Sequence, residues 1–184
     1  MMNQEMSENI ATSDIFEAMR LRYEENGVVT DEDLDVIADT ALTIIKQLLN
    51  YFGNEKVSID EFEGEDGELI MNISGDDLAV LIGRHGHVLD SFSSLASSLL
   101  TKQLGFHYPI TVDIENYRVR HREKLQSIAH SMAGRAIKTG RSVSLPPMSG
   151  YDRRLIHMAL SSNEYVVTHS EGEDIRRHIV ITPL

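Results

Sequence analysis

The chain has 184 residues and a formal net charge of −12 at pH 7, with 41% hydrophobic residues, no cysteine and no tryptophan. This length allows one large domain or two small ones. The lack of cysteine excludes disulfides, thiolate metal sites and thiol catalysis. The apolar segments are short, and no basic start precedes an apolar run, so we expect no signal peptide and no membrane insertion. These features favour a cytoplasmic protein.

Charge is distributed unevenly along the chain. Residues 1–75 hold 18 Asp/Glu and 4 Lys/Arg, whereas residues 76–184 hold 11 Asp/Glu, 13 Lys/Arg and all 8 histidines. Within residues 118–141, 7 Lys/Arg accompany a single acid, Glu123. Because ordinary salt screens charge interactions beyond about 8–10 Å, a local basic stripe matters more to a polyanion than the overall charge. The second half is therefore compatible with nucleic-acid binding.

The N-terminal part of the chain divides into an acidic segment and a helix. Residues 1–29 are polar, acidic and weakly periodic, which predicts a disordered segment. Thr30-Asp31-Glu32-Asp33 resembles a capping box, and apolar residues follow it at helical spacing. We predict an amphipathic helix from there to Gly53-Asn54.

The next segment reads as two strands, two helices and a strand. Alternating apolar residues predict strands in KVSIDEF and ELIMNIS, and the Asp-Gly pair between them predicts a hairpin. A short helix over 76–82, a turn over 83–86, a helix over 88–104 and a strand over 110–114 follow. Residues 30–115 thus form one unit with the order α-β-β-α-α-β.

The remaining residues, 116–184, form a second predicted unit. It begins with a long basic helix over 116–140 and a strand over 141–145. A capped helix over 151–160 comes next, and two strands end the chain. The order is α-β-α-β-β, and the fold class is α+β.

The turn Gly83-Arg84-His85-Gly86 is the first candidate site. Taken alone, a G-x-x-G pattern indicates a tight turn and little more. Here it joins two apolar helices and carries Arg84. A glycine-flanked turn at a helix N-terminus lets a phosphate approach backbone N–H groups, and G-x-x-G loops clamp single-stranded nucleotide backbone in this way.

In this context the sequence resembles a known family. Leu81–Gly86 within the α-β-β-α-α-β order resembles a type II KH domain, and 112–118 (VDIENYR) resembles the junction that follows it in the Jag (SpoIIIJ-associated, KhpB-like) family. Met148–His157 is similar to that family's second module, which is named for an Arg and a His separated by three residues. The resemblance covers about residues 30–184.

The resemblance implies two small α/β sandwich domains, a KH domain over 30–115 and an Arg-x-x-x-His (R-3-H) domain over 116–184. It implies a non-catalytic single-stranded RNA-binding protein without a cofactor. It further implies a bacterial post-transcriptional regulator linked to cell envelope growth or division, with a small KH-only protein as a second partner. The RNA-binding residues it indicates are Ile82, Gly83, Arg84, His85, Gly86, Val88, Arg153 and His157.

Two departures from the family pattern qualify what can be carried over. Family members commonly have two basic residues inside the glycine turn, whereas this chain has Arg84-His85, so the charge of the turn depends on pH. Many members also have a folded N-terminal domain where this chain has a short acidic segment. Membrane or division-site targeting by such a domain therefore cannot be carried over to this chain.

Structural alternatives remain open for the basic residues. Arg153 and His157 lie one helical turn apart and share a face, which also suits a surface pair packed against strands. We expect Arg154 to point elsewhere. The basic residues of the long helix suit a solvated face as well as contacts to nucleic-acid backbone; they are Arg118, Arg120, Arg122 and Lys124.

Other classes of function have weaker support. His85-x-His87 is the only close histidine pair and has no further ligand set, so we expect no metal site. No nucleophile has an evident base, which argues against an enzyme. A protein–protein adaptor with a KH-like fold is the main alternative.

Overall fold

A computed structural model describes residues 2–53, 56–64 and 67–184, and the side chains among them from residue 14 onward. The chain forms two compact units that divide between Tyr117 and Arg118. Each unit combines helices with a three-stranded sheet, so the α+β class is confirmed. Among the described residues, no helix is both long and apolar enough to span a bilayer.

The first unit places helices against a mixed sheet. Strands β1 and β2 are antiparallel, β3 lies parallel to β2, and the order is β1-β2-β3. The predicted hairpin is therefore confirmed, although residues 65 and 66 of its turn lie outside the described residues. The elements are α1 (Met2–Asn26), α2 (Asp31–Tyr51), β1 (Val57–Glu63), β2 (Leu69–Gly75), α3 (Ala79–Ile82), α4 (His87–Leu104) and β3 (Ile110–Ile114).

The N-terminus of α2 has the predicted capping box. The Asp33 backbone N–H donates to Thr30 Oγ1 over 3.2 Å, and the Thr30 backbone N–H donates to Asp33 Oδ2 over 3.0 Å. The two residues thereby satisfy donors that a helix start otherwise leaves open. The inner face of α2 then packs into the core with Ile37, Ile45 and Leu49.

The disorder expected for residues 1–29 is not what the structure has, because residues 2–26 form helix α1. Met19 is buried, and the Tyr23 ring stacks on Phe106 with centroids 4.5 Å apart. Arg22 forms an ion pair with the buried Asp33 at the start of α2. The acidic composition concealed this helix because its few apolar residues dock on tertiary partners that local periodicity does not report.

Helix α3 is shorter than the helix predicted over 76–82. It spans only Ala79–Ile82, and Asp77 has a φ of 57°. A residue in the left-handed region does not continue a right-handed helix. The acids at 76 and 77 therefore belong to the turn before α3.

The second unit covers one face of an antiparallel sheet with two helices. Its sheet has the order β4-β6-β5, and its core includes Leu125, Ala129, Ile156 and Ile181. The predicted order α-β-α-β-β is confirmed. The elements are α5 (Tyr117–Thr139), β4 (Val143–Ser144), α6 (Gly150–Leu160), β5 (Val166–Glu171) and β6 (His178–Pro183). Tyr117, the first residue of α5, belongs to the first unit.

Candidate nucleic-acid interface

The Gly83–Gly86 loop joins α3 to α4 through a single 3-10 turn, Arg84–Gly86. Gly83 has φ 68° and ψ −169°, a backbone conformation that residues other than glycine rarely adopt. His85 has φ 56° and ψ 25°, and Gly86 has φ 82° and ψ 6°. Three of the four residues therefore have positive φ, which gives the loop a shape that depends on glycine at both ends.

The two glycines are also fixed by their surroundings. A Cβ at Gly83 would overlap Cγ2 of Val88 and lie 2.8 Å from its Cβ. A Cβ at Gly86 would lie 2.8 Å from Cε1 of Tyr117. The loop backbone thus lies directly against the first turn of α4 and against the Tyr117 ring, and any larger residue would displace it.

The residues of the loop and the residues beside it differ in exposure to solvent. Arg84 and His85 are exposed, whereas Ile82 and Val88 on either side are half-buried. Gly86 is the N-cap of α4 and provides no side chain to cap the first-turn amides. The loop therefore combines two exposed basic side chains with the positive end of an 18-residue helix. Such an arrangement suits an anionic group.

Arg153 and His157 line one side of an open groove of about 340 Å³ in the second unit. The guanidinium Nη1 of Arg153 donates to Ser170 Oγ over 3.0 Å. His157 Nδ1 lies 2.5 Å from Thr168 Oγ1. The groove lies between α6 and β5, and both residues of the Arg-x-x-x-His motif face it.

Arg154 lines the same groove, so the expectation that it points elsewhere was wrong. It precedes His157 by three residues, and residues at that spacing are neighbours on a helix surface. Arg154 is exposed, whereas Arg153 is half-buried. The groove therefore has two arginines at different depths.

The N-terminus of α6 is held by a buried carboxylate. Asp152 is 2% exposed, and its Oδ1 lies 2.9 Å from His121 Nε2 on α5. Ser149 caps the helix by accepting the Asp152 backbone N–H over 3.0 Å. These contacts fix the first turn of α6, directly before Arg153.

The basic residues at the start of α5 are not equivalent. Arg118 is half-buried, whereas Arg120, Arg122 and Lys124 are exposed. Residues 118 and 122 share one face and 120 and 124 share another, because each pair is four residues apart. The helix therefore presents its cations in two directions, and their role as backbone contacts stays a prediction.

The candidate sites hold no metal-binding cluster within the described part of the chain. There, no three histidine or carboxylate side chains lie close enough together to share a metal ion. His121 and His157 instead contact Asp152 and Thr168.

Sequence reasoning missed the hydroxyls of the groove. Thr168 and Ser170 alternate on β5, and this period of two was visible in the sequence as Thr-His-Ser. Nothing local linked that alternation to α6, because the contact depends on how the helix packs on the sheet. Gly150 was missed for the same reason, although a Cβ there would lie 3.4 Å from Arg153 Nη2.

In the comparison with known proteins, each of the two units is matched by a family model. A family model described as the KhpA/KhpB KH domain matches residues 38–114, and the model of the R-3-H domain matches residues 123–183. The Gly83–Gly86 loop lies in the first match, and the α6 groove lies in the second. The two models together account for most of the chain.

The curated relatives of this chain that are described here have the same name. A protein of Clostridium symbiosum named RNA-binding protein KhpB is 38% identical over 149 residues, which cover 80% of this chain and 67% of the relative. The Bacillus subtilis protein of that name is 37% identical over 113 residues, 60% of this chain and 54% of the relative. The one from Lactiplantibacillus plantarum is 36% identical over 102 residues, which cover 55% of this chain and 32% of its own length. The chain therefore belongs to the KhpB (Jag) family, with a KH domain followed by an R-3-H domain.

Proposed function

We propose that this chain is a non-catalytic, cytoplasmic protein that binds single-stranded RNA at two places, the Gly83–Gly86 loop and the α6 groove. The relatives it resembles are named RNA-binding proteins. Both places have exposed basic side chains, and the α6 groove is open. The two contacts lie on one chain, so a strand that reaches both gains avidity without further contacts.

The geometry of the glycine loop carries this proposal. Its two glycines have no side chain that would keep a ligand away from the backbone. Arg84 and His85, which lie between them, are exposed to solvent. A phosphate that approaches the loop meets the N-terminus of α4 and a guanidinium together. Bases of the same strand then lie along the apolar flank formed by Ile82 and Val88.

The wider role follows from the resemblance to the Jag family. We propose post-transcriptional regulation linked to cell envelope growth or division, with a small KH-only protein as a second partner. These roles rest on the family resemblance alone. The loop and the groove provide the RNA contact that such regulation requires.

The test is a pair of double variants with the same change of charge. Arg84→Asp/His85→Asp reverses the charge of the loop, and Lys46→Asp/His107→Asp makes the same change at two exposed positions of the first unit. Affinity for a labelled, unstructured single-stranded RNA is measured by fluorescence anisotropy. Circular dichroism verifies the fold.

We expect the loop variant to lose most of its affinity and the control variant to remain close to wild type. Equal affinities of the two variants would remove the loop from the mechanism. The salt dependence separates RNA binding from the adaptor alternative. Each phosphate contact contributes about 0.7 to the slope of log affinity against log salt for single strands, whereas an apolar protein–protein interface has no such slope.

A further inference from the structure

Two hydroxyl groups on β5 pair one to one with the two motif residues on α6. Ser170 contacts Arg153, and Thr168 contacts His157. Four residues along a helix rise about 6 Å, and two residues along a strand rise about 6.6 Å. The spacing of the hydroxyls therefore matches the spacing of the motif. Because residue order is reversed between the pairs, α6 and β5 run in opposite directions at this contact.

The Arg153 guanidinium is oriented by a neutral partner. Nη1 donates to Ser170 Oγ, and Gly150 leaves the space beside Nη2 that a Cβ would approach to 3.4 Å. Nε is buried and makes no hydrogen bond within the described residues. A serine hydroxyl fixes the plane of a guanidinium without neutralising its charge. The charge of Arg153 therefore remains available to an anion in the groove.

The His157 ring is oriented in a similar way. Nδ1 lies 2.5 Å from Thr168 Oγ1, so Nε2 is the ring nitrogen left for a ligand. Thr168 is β-branched, which restricts its χ1 and holds its hydroxyl in place. When that hydroxyl donates to Nδ1, the ring proton is on Nε2 and the imidazole becomes a donor towards the groove.

We propose that Thr168 and Ser170 are positioning residues that present His157 and Arg153 as a pair of donors to one phosphate of the bound strand. This inference rests on the proposed function and assigns the ligand chemistry of the α6 groove. A guanidinium and an Nε2–H are donors without an acceptor, which matches the oxygens of a phosphodiester. Arg154, at the exposed side of the groove, adds charge.

The experiment removes each hydroxyl and compares it with a matched hydroxyl of the same sheet. Ser170→Ala and Thr168→Val delete the positioning groups, and Thr168→Ser restores one. Thr182→Val is the control, because Thr182 lies on β6 of the same sheet and outside the groove, with its Oγ1 3.0 Å from Ser142 Oγ. Affinity for a labelled single-stranded RNA, its salt slope and the urea midpoint are measured for the full chain.

We expect Ser170→Ala and Thr168→Val each to weaken binding about three- to tenfold with a reduced salt slope. Thr168→Ser keeps the hydroxyl without the β-branch and should bind more tightly than Thr168→Val, and Thr182→Val should bind like wild type. If the groove variants and Thr182→Val bind equally well, the positioning role is refuted. If affinity falls only in proportion to the urea midpoint and the salt slope is unchanged, the hydroxyls are merely structural.

Two further measurements separate this inference from the proposed function. Arg153→Ala should weaken RNA binding at least as much as Ser170→Ala; if Arg153→Ala binds like wild type, the groove contact itself fails. If Arg153→Ala weakens binding and Ser170→Ala does not, only the positioning role fails. Nitrogen NMR of the His157 ring without RNA should show the Nε2–H form when the ring is neutral. The Nδ1–H form would contradict the donor pair.

Discussion

His121 on α5 and Asp152 on α6 form a buried contact, with His121 Nε2 2.9 Å from Asp152 Oδ1. The Asp152 side chain is 3% exposed and that of His121 is 15% exposed, so solvent screens the contact little. Asp152 lies in the first turn of α6, where a negative charge is favoured by the helix dipole. This pair joins the two helices of the R-3-H unit next to Arg153.

Loss of either partner should destabilise the R-3-H unit. We expect Asp152→Ala and His121→Ala each to lower the free energy of unfolding by about 2–3 kcal/mol, because a buried polar group then loses its partner. Urea unfolding followed by circular dichroism measures the change.

The matched control is a contact between an exposed histidine and an exposed carboxylate of the same unit. His169 Nε2 lies 2.7 Å from Glu171 Oε1 in the same unit, but both side chains are about half-exposed. Glu171→Ala should leave the urea midpoint nearly unchanged, because exposed ion pairs contribute little. A loss as large as that of Asp152→Ala would show that burial does not decide the effect.

The second prediction concerns the packing of Gly86 in the KH unit. Gly86→Ala has to maintain φ 82° and place a Cβ 2.8 Å from Cε1 of Tyr117. We expect it to cost about 2–5 kcal/mol of unfolding free energy, since left-handed strain alone costs about 1–2 kcal/mol per residue and overpacking adds about 1–3 kcal/mol. Thermal or urea unfolding measures the loss.

Gly27→Ala is the control for Gly86→Ala. Gly27 has φ 66°, and among the described residues no atom lies within 4 Å of a Cβ placed there. It should therefore show the cost of strain without the cost of overpacking. Equal losses for the two variants would mean that the Tyr117 ring moves aside without cost.

The sequence was sufficient to predict the elements whose cause is local. The capping box of Thr30 and Asp33, the alternation in β1 and β2, and the glycine turn before α4 all depend on neighbouring residues, and each is where it was expected. Such signals are visible without knowledge of the fold because the residues that produce them lie close together in the sequence.

The features that the sequence did not predict depend on contacts between distant residues. Helix α1 is held by Met19 in the core and by the stacking of Tyr23 on Phe106, more than 80 positions away. The hydroxyls of the α6 groove likewise acquire their role from a helix on another part of the chain. From local composition alone, α1 was predicted to be a disordered acidic segment, and no role was predicted for the two hydroxyls.

The third prediction tests whether α1 is a structural part of the KH unit. Met19 is 1% exposed, so Met19→Ala should lower the free energy of unfolding by about 2–4 kcal/mol through lost burial and the cavity left behind. Leu21→Ala on the same helix is the control, because Leu21 is 51% exposed. We expect a change within about 0.5 kcal/mol for the control. Equal stability of both variants would indicate that α1 does not stabilise the unit.

The last prediction follows from the charge of Asp33. Burial by itself would raise the pKa of the Asp33 carboxyl, but hydrogen bonds at Thr30 and the Arg22 guanidinium outweigh it, and the pKa is lowered. A carboxyl with a lowered folded pKa stabilises the protein above its unfolded pKa, about 3.9 for Asp. That contribution decreases as the pH falls through the folded value. We therefore expect the stability advantage of wild type over Asp33→Asn to be full near neutral pH and to shrink below about pH 4.

Urea unfolding of both proteins from about pH 3 to pH 7 measures this difference. Asp35→Asn is the matched control, because Asp35 lies on the same helix two residues later and is exposed. This substitution should change the free energy of unfolding by no more than about 0.5 kcal/mol, because Asp35 is exposed. If the wild-type and Asp33→Asn curves remain parallel down to the lowest pH, the ionised carboxylate does not stabilise the junction of α1 and α2, and its hydrogen bonds alone, which an asparagine can partly replace, account for the capping box.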